Sequence, residues 1–203
     1  MMFHGEGMFK LQQNHAKGAV LRRHYFDRPT LTVAKSLLGK YLVRQNDGRM
    51  IAGQIVEVEA YVGPDDLACH ASKGRTARTD VMFGPAGMAY VYLIYGMYHC
   101  LNVVTEREEF PAAILIRAIN VEGTLIDGPG RLCRFMTIDR SLNRVDLTCG
   151  QHLWFEDRQA VLRGLKIETF PRIGVDYAGP WASKPWRFRI VAMESGNGRA
   201  RRK

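Results

Sequence analysis

No apolar run in the 203 residues approaches the roughly 18 that a membrane span requires. The opening stretch, from Met1 to Gly18, lacks the apolar core of a secretory signal. Cysteine is sparse and scattered. Cys69, Cys100, Cys133 and Cys149 form no Cys-x-x-Cys pair and have no histidine at zinc-finger spacing, which argues against a disulfide framework and a structural zinc site. Buried free thiols are the expectation, and neither a metal nor a cofactor is called for. No Asn-x-Ser/Thr acceptor occurs either. Together these absences point to a soluble intracellular protein without a membrane partner.

Acidic residues are also in the minority. Twenty Asp and Glu face 29 Lys and Arg, a net charge of +9 with a pI near 9.6, so an acidic partner is expected. The last five residues hold four of those charges, which leaves five for the rest of the chain. An apolar fraction of 46% excludes disorder, and the length suits one domain with its own core. We expect a flexible N-terminal extension at 1–20, the folded domain at 21–195 and a basic flexible tail at 196–203.

From Thr30 the pattern becomes regular. Leu31, Ala34, Leu37 and Leu38 recur at helical spacing, with Gly39 where a helix C-cap belongs. Lys40 to Gln45 and Met50 to Val62 read as strands joined at Asp47-Gly48, a strong hairpin signal. Ala89 to Ile94 and His99 to Thr105 form a second hairpin with Tyr95-Gly96-Met97 at its tip, and Ala112 to Ile119 a further strand. Gly130 to Met136 is a short helix candidate. Hairpin connections, rather than long helical crossovers, predict a single α+β domain dominated by antiparallel sheet with peripheral helices.

Three constellations could carry chemistry. In Ile55–Val62, strand alternation places Val56, Val58, Ala60 and Val62 on one face and Ile55, Glu57, Glu59 and Tyr61 on the other. On pattern alone a solvated sheet face is an equal alternative. The following turn, Gly63 to His70, could return His70 to that face, giving the carboxylate, phenol and imidazole of an active-site inventory. Tyr90, Tyr92, Tyr95 and Tyr98 crowd the second hairpin. Core packing accounts for Tyr90 and Tyr98, whereas Tyr95 beside Gly96 and Met97 would be an exposed wedge and Tyr92 a stacking platform. Arg117 stands alone in an apolar strand, so it either holds a buried carboxylate, for which Glu59 is the obvious choice, or faces a polar site. The turn Asp127-Gly128-Pro129-Gly130 before Arg131 is a weaker signal.

These residues, with Phe26-Asp27-Arg28-Pro29, Leu37-Leu38-Gly39, Met82-Phe83 with Gly87, Gly128-Pro129-Gly130-Arg131-Leu132-Cys133, and Arg172-Ile173-Gly174-Val175 leading to Trp181 and Lys184-Pro185, form an ordered series from Leu21 to Ile190. The series resembles the alkyladenine DNA glycosylases, also called 3-methyladenine or methylpurine DNA glycosylases. That resemblance implies a curved sheet with a protruding DNA-inserting hairpin, and a monomeric, monofunctional enzyme of base excision repair. Its partner would be double-stranded DNA containing damaged purines, among them 3-methyladenine, 7-methylguanine, hypoxanthine and ethenoadenine. It would flip the lesion out of the duplex and hydrolyse the N-glycosidic bond through an oxocarbenium-like transition state. By position, Glu59 matches the carboxylate that activates water, Arg117 a residue that helps hold that water, and the Ile173 main chain a further water contact. Tyr61 and His70 match one wall of the base pocket and Tyr92 the other, and Asn102 the residue that clashes with the guanine 2-amino group. Tyr95 matches the side chain that fills the vacated stack, with Met97 beside it. Arg131 and Arg140 match phosphate contacts, and Arg75 and Arg78 add nearby basicity. Between Arg117 and Asp127 the chain has only Ala118 to Ile126, where the family carries a longer insertion, so a peripheral element of the DNA-binding surface should be shortened. The compartment would be the bacterial cytoplasm at the nucleoid, or a eukaryotic nucleus.

Two rival readings use the same residues. Glu57, Glu59, Asp65, Asp66 and His70 could ligate Mg²⁺ or Mn²⁺ in a nuclease or other hydrolase whose activity chelation would abolish. A non-catalytic DNA-binding module would also account for the charge and the tyrosines.

Overall fold

Antiparallel pairing between strands organises the computed structural model, which describes residues 18–160, 162 and 164–193. Strand β1 (Ala19–Val20) leads into two helices, α1 (Arg23–Phe26) and α2 (Thr30–Leu37), then β2 (Tyr41–Asn46) and the long β3 (Arg49–Val62). After 3₁₀ turns at His70–Lys73 and Asp80–Phe83 come β4 (Ala89–Ile94), β5 (Tyr98–Val104), β6 (Ala112–Val121) and β7 (Thr124–Asp127). Helix α3 (Pro129–Phe135) and a 3₁₀ turn at Arg140–Leu142 precede β8 (Leu153–Asp157) and β9 (Leu165–Phe170), and a 3₁₀ stretch at Asp176–Trp181 leads to β10 (Arg187–Ala192). The main sheet runs β1-β8-β2-β3-β6-β5-β4, with β7 on β6 and β10 joining β3 to β9. This is a single α+β domain: one mostly antiparallel open sheet with few helices.

Local chemistry explains the two hairpins nearest the centre. Asp47 and Gly48 both take positive φ, 47° and 75°, the twist that a two-residue turn needs between β2 and β3. Glu122 and Gly123 do the same between β6 and β7, at 50° and 85°, so the short connection after Arg117 is a tight turn. Helix α2 buries Val33, Ala34 and Leu37, and a carboxylate from a distant loop caps it. Glu106 Oε1 accepts from Thr30 N–H at 2.7 Å and from the Thr30 hydroxyl at 2.8 Å.

Strand β3 is paired along both edges. One edge meets β2 through residues 49–54 and β10 through 57–59, while the other meets β6. The register with β6 slips between Ile55 and Val58. A bulge of this kind breaks the two-residue alternation, and Ile55 joins Val56, Val58 and Ala60 in the main core rather than sharing the face of Glu57. Glu57 and Glu59 are themselves buried, so the solvated-face alternative is overturned.

Other expectations shift at the edges. Residues 1–17 of the N-terminal extension and the basic tail at 196–203 lie outside the described residues, whereas Ala19 and Val20 pair with Asp157 and Glu156. Cys69, Cys100 and Cys133 are buried free thiols, but Cys149 is exposed. Tyr98 is partly exposed rather than core, and packs where Gly130 has no side chain, since a Cβ there would lie 2.9 Å from its ring.

Gly53 supplies a test of the packing at the centre of the sheet. A Cβ at this position would sit 2.6 Å from Ile119 Cδ1 and 2.9 Å from Ile119 Cβ. Gly53→Ala should destabilise by about 1–3 kcal/mol, measured as a lowered urea midpoint with an unchanged m-value.

Candidate active site

Three adjacent strands place five charged side chains on one face. Register pairs Arg187 with Glu59 and Arg189 with Glu57 from β10, and β6 brings Arg117 from the opposite edge. Glu59 has no exposed surface, and its contacts are specific. Oε1 accepts the Ile173 main-chain N–H at 2.8 Å, Oε2 accepts the Tyr61 hydroxyl at 2.9 Å, and Arg117 Nη1 stands 3.4 Å from Oε2. Arg117 makes its shorter contact elsewhere, donating from Nε to Glu57 Oε1 at 3.1 Å. The expected Arg117–Glu59 pair is therefore one arm of a bridge between two carboxylates.

Burial raises the pKa of Glu59 above the usual carboxylate range, against the opposing pull of Arg117, the Ile173 N–H and the Tyr61 hydroxyl. Burial also lifts Tyr61 well above an ordinary phenol, aided by the Glu59 charge, so Tyr61 remains a donor. For Arg117, burial would lower the pKa, but the two glutamates outweigh it and keep the guanidinium charged.

In front of this group lies a cavity of about 510 Å³ lined by Tyr61, His70, Tyr92, Asn102, Arg117 and Ile173, among others. Glu59 stands behind that wall. His70 meets Tyr92 edge-on with ring centroids 4.7 Å apart, and Tyr90 lies tilted against Tyr92 at 5.2 Å. His70 Nδ1 is 2.9 Å from the Tyr90 hydroxyl, which also accepts from Arg78 Nε at 3.2 Å. The arrangement that satisfies all three groups has the Tyr90 O–H donating to Nδ1 and the imidazole proton on Nε2. Burial, with Arg78 and Lys73 nearby, lowers the His70 pKa to about 4, so the ring is neutral at physiological pH. Asn102 is buried opposite Tyr90 and gives its amide N–H to the Tyr90 carbonyl at 3.1 Å.

At the rim, Tyr95 is 83% exposed and Met97 63%, on the tip between β4 and β5. Tyr95 takes a φ of 52°, unusual for an aromatic residue, and reaches the cavity edge; Met97 does not. The four arginines are less alike than their spacing implied. Arg78 lines the cavity with its guanidinium 4.9 Å from the Tyr92 centroid, and Arg75 is engaged by Glu109, Asp80 and the Phe83 ring. Arg131 on α3 and Arg140 in its 3₁₀ turn are exposed away from the lining. Of the metal-ligand alternative, Asp65 is exposed and Asp66 is bound by Arg172. Among the described residues no three His, Cys, Asp or Glu side chains converge as a metal ion would require.

Sequence reasoning overlooked several contributors. Arg172 forms a fully buried ion pair with Asp66, donates to the Ala60 and Trp181 carbonyls, and lies over the Tyr61 and Trp186 rings. It thereby clamps the backbone just before Ile173 to β3. Arg187 and Arg189 were visible as charged positions alternating with Phe188 and Ile190, but β10 had not been recognised. Tyr177, largely exposed, also lines the cavity.

Aromatic walls of this kind accept a flat ring, and the buried carboxylate and guanidinium behind them give the site a polar back, the makings of an enzyme pocket for a planar group. The family model described as Methylpurine-DNA glycosylase (MPG) matches residues 24–194. Proteins named "Putative 3-methyladenine DNA glycosylase" are close relatives. That of Methanocella arvoryzae is 54% identical over 185 residues, covering 83% of this chain and 91% of the relative. Those of Myxococcus xanthus and Legionella pneumophila are 52% and 51% identical, each across 84% of this chain and covering 89% and 93% of the relatives. The chain belongs to the methylpurine-DNA glycosylase family, DNA repair enzymes that hydrolyse N-glycosyl bonds.

The Arg172 clamp should matter for stability. Arg172→Ala leaves Asp66 buried without its countercharge and is expected to cost about 3–5 kcal/mol. In urea denaturation, Asp66→Asn/Arg172→Ala should lose less than the sum of the two single variants.

Proposed function

We propose that this protein is a monomeric, monofunctional glycosylase that removes alkylated and deaminated purines from duplex DNA: 3-methyladenine, 7-methylguanine, hypoxanthine and ethenoadenine. The observation that carries this reading is the Glu59 carboxylate, held by Tyr61, Ile173 N–H and Arg117 at the back of an aromatic cavity. Because His70 and Tyr92 touch edge-on, they form one wall together, and the flipped base would lie between that pair and Tyr61. Tyr95, on an exposed hairpin tip at the cavity edge, would fill the vacated stack with Met97 beside it, offsetting the few kcal/mol that flipping costs. Asn102 would turn away a guanine 2-amino group. Arg78, Arg131 and Arg140 would meet phosphates, and Arg75 would have to exchange its carboxylate partners to do so.

In the reaction, Glu59 is ionised and Arg117 helps hold a water beside it. As the C1′–N bond breaks, its electron pair leaves with the purine, and positive charge grows on the sugar under the field of the carboxylate. Water oxygen bonds to C1′ and its proton passes to Glu59, leaving an abasic site. A cationic alkylpurine departs neutral without further help, and a neutral His70 adds no charge to repel it. An enzyme of this kind would work where the genome is, in a nucleoid or a nucleus.

Glu59→Gln should slow single-turnover release of 3-methyladenine by about 10²–10⁴-fold while the variant still binds lesion duplex. Because burial raises the Glu59 pKa, wild-type activity should fall on acidification through a limb above the usual carboxylate range. Undiminished release by Glu59→Gln would overturn the assignment.

Tyr95→Ser should leave the fold intact, weaken lesion-duplex binding by about 1–3 kcal/mol and slow excision. Titration of a fluorescent duplex and single-turnover kinetics measure the two effects, and unchanged values would make Tyr95 an ordinary surface residue.

A further inference from the structure

Strand β3 carries two buried carboxylates, and the chemistry above uses only one of them. We propose that the other, Glu57, is a positioning residue that anchors both groups framing Glu59, an inference that rests on Glu59 acting as the base. Glu57 is enclosed by three guanidiniums. Arg117 Nε and Arg187 Nη1 both donate to its Oε1 at 3.1 Å, and Arg189 Nε lies 3.6 Å from Oε2.

Two of these lead back to Glu59 by separate routes. Arg117 reaches it directly, with Nη1 at 3.4 Å from Glu59 Oε2, longer than its contact with Glu57. Glu57 thus keeps Arg117 from closing fully onto Glu59. Arg187 reaches it through the backbone, donating from Nε to the Pro171 carbonyl at 2.8 Å with its guanidinium 4.8 Å from the Phe170 ring centroid. Two residues further on, Ile173 N–H holds Glu59 Oε1 at 2.8 Å. One side chain therefore sets the cation on one oxygen and steadies the amide on the other.

Glu59 is faced by Glu57 and Tyr61 from its own strand, Arg117 from β6, Cys100 from β5, Tyr92 behind Tyr61 from β4, and Arg187 opposite it on β10. Loss of the Glu57 charge removes a negative neighbour and releases Arg117 towards Glu59, and both changes favour the ionised form. Loss of the Arg187 charge and of its hold on Pro171 favours the protonated form.

The experiment compares wild type, Glu59→Gln, Glu57→Gln and Arg187→Met by single-turnover excision across pH, lesion-duplex affinity and thermal unfolding. Glu57→Gln should lower the excision plateau by about 10- to 100-fold at unchanged DNA affinity and move the acid limb to lower pH. Arg187→Met should also lower the plateau but move the limb to higher pH. A merely structural role would lower the melting temperature and leave both limbs in place. Unmoved limbs and plateaus beside an inactive Glu59→Gln would overturn the role of Glu57 while leaving Glu59 as the base. An active Glu59→Gln would overturn both. Should Glu57→Gln fail to fold, Glu57→Asp takes its place: it keeps the charge but shortens the reach to Arg117 and Arg187, so it should lower the plateau, and an unchanged plateau would overturn the role of Glu57.

Discussion

A carboxylate removed from water must be surrounded by donors, and the arrangement around Glu59 organises much of this molecule. Its partners come from β3 itself, from β6 and from the loop after β9, three segments far apart in sequence. Each is secured separately: Arg117 by Glu57, and the Ile173 loop by Arg172 on Asp66 and by Arg187 on Pro171. The buried ion pairs are costly to desolvate, and they are tolerated because nearly every oxygen and guanidinium in the group finds a partner.

The sheet makes that convergence possible. Strand β3 is paired on both edges, so its charged face meets β10 on one side and β6 on the other, while its apolar face closes the core beneath α2. The register slip near Val56 is the geometric adjustment that lets Ile55 enter the core while Glu57 and Glu59 remain together. The aromatic cavity follows from the next two pairings, since β5 and β4 carry Asn102 and Tyr92 into position beside Tyr61.

Hairpins were legible because their turns demand particular residues. Asp47-Gly48 announces a left-handed turn, and the segments on either side of it and of Tyr95-Gly96-Met97 are rich in β-branched, aliphatic and aromatic residues. The pairing of Glu59 with Tyr61 was legible for the same reason, because residues two apart in a strand share a face whatever the fold. Strands β8, β9 and β10 went unrecognised although Arg187 and Arg189 alternate with Phe188 and Ile190, because no Asp-Gly or Asn-Gly turn joins them to mark a hairpin. Arg172 was seen as part of a motif, but its partner Asp66 lies 106 residues earlier, a distance no local pattern reveals.

The sequence alone determined that this is one basic α+β domain, that carboxylates, tyrosines and a histidine could share a cleft, and which family the ordered motifs resemble. Those properties depend on composition and on spacings of a few residues, where backbone geometry acts directly. Tertiary structure decided that the face carrying Glu57 and Glu59 is buried rather than solvated, that Arg117 bridges two carboxylates, and that Arg172, Arg187 and Arg189 support the site. The reason is that charge burial is a property of everything packed around a group, and the groups packed around Glu59 are brought there by strand pairing rather than by neighbourhood in the chain.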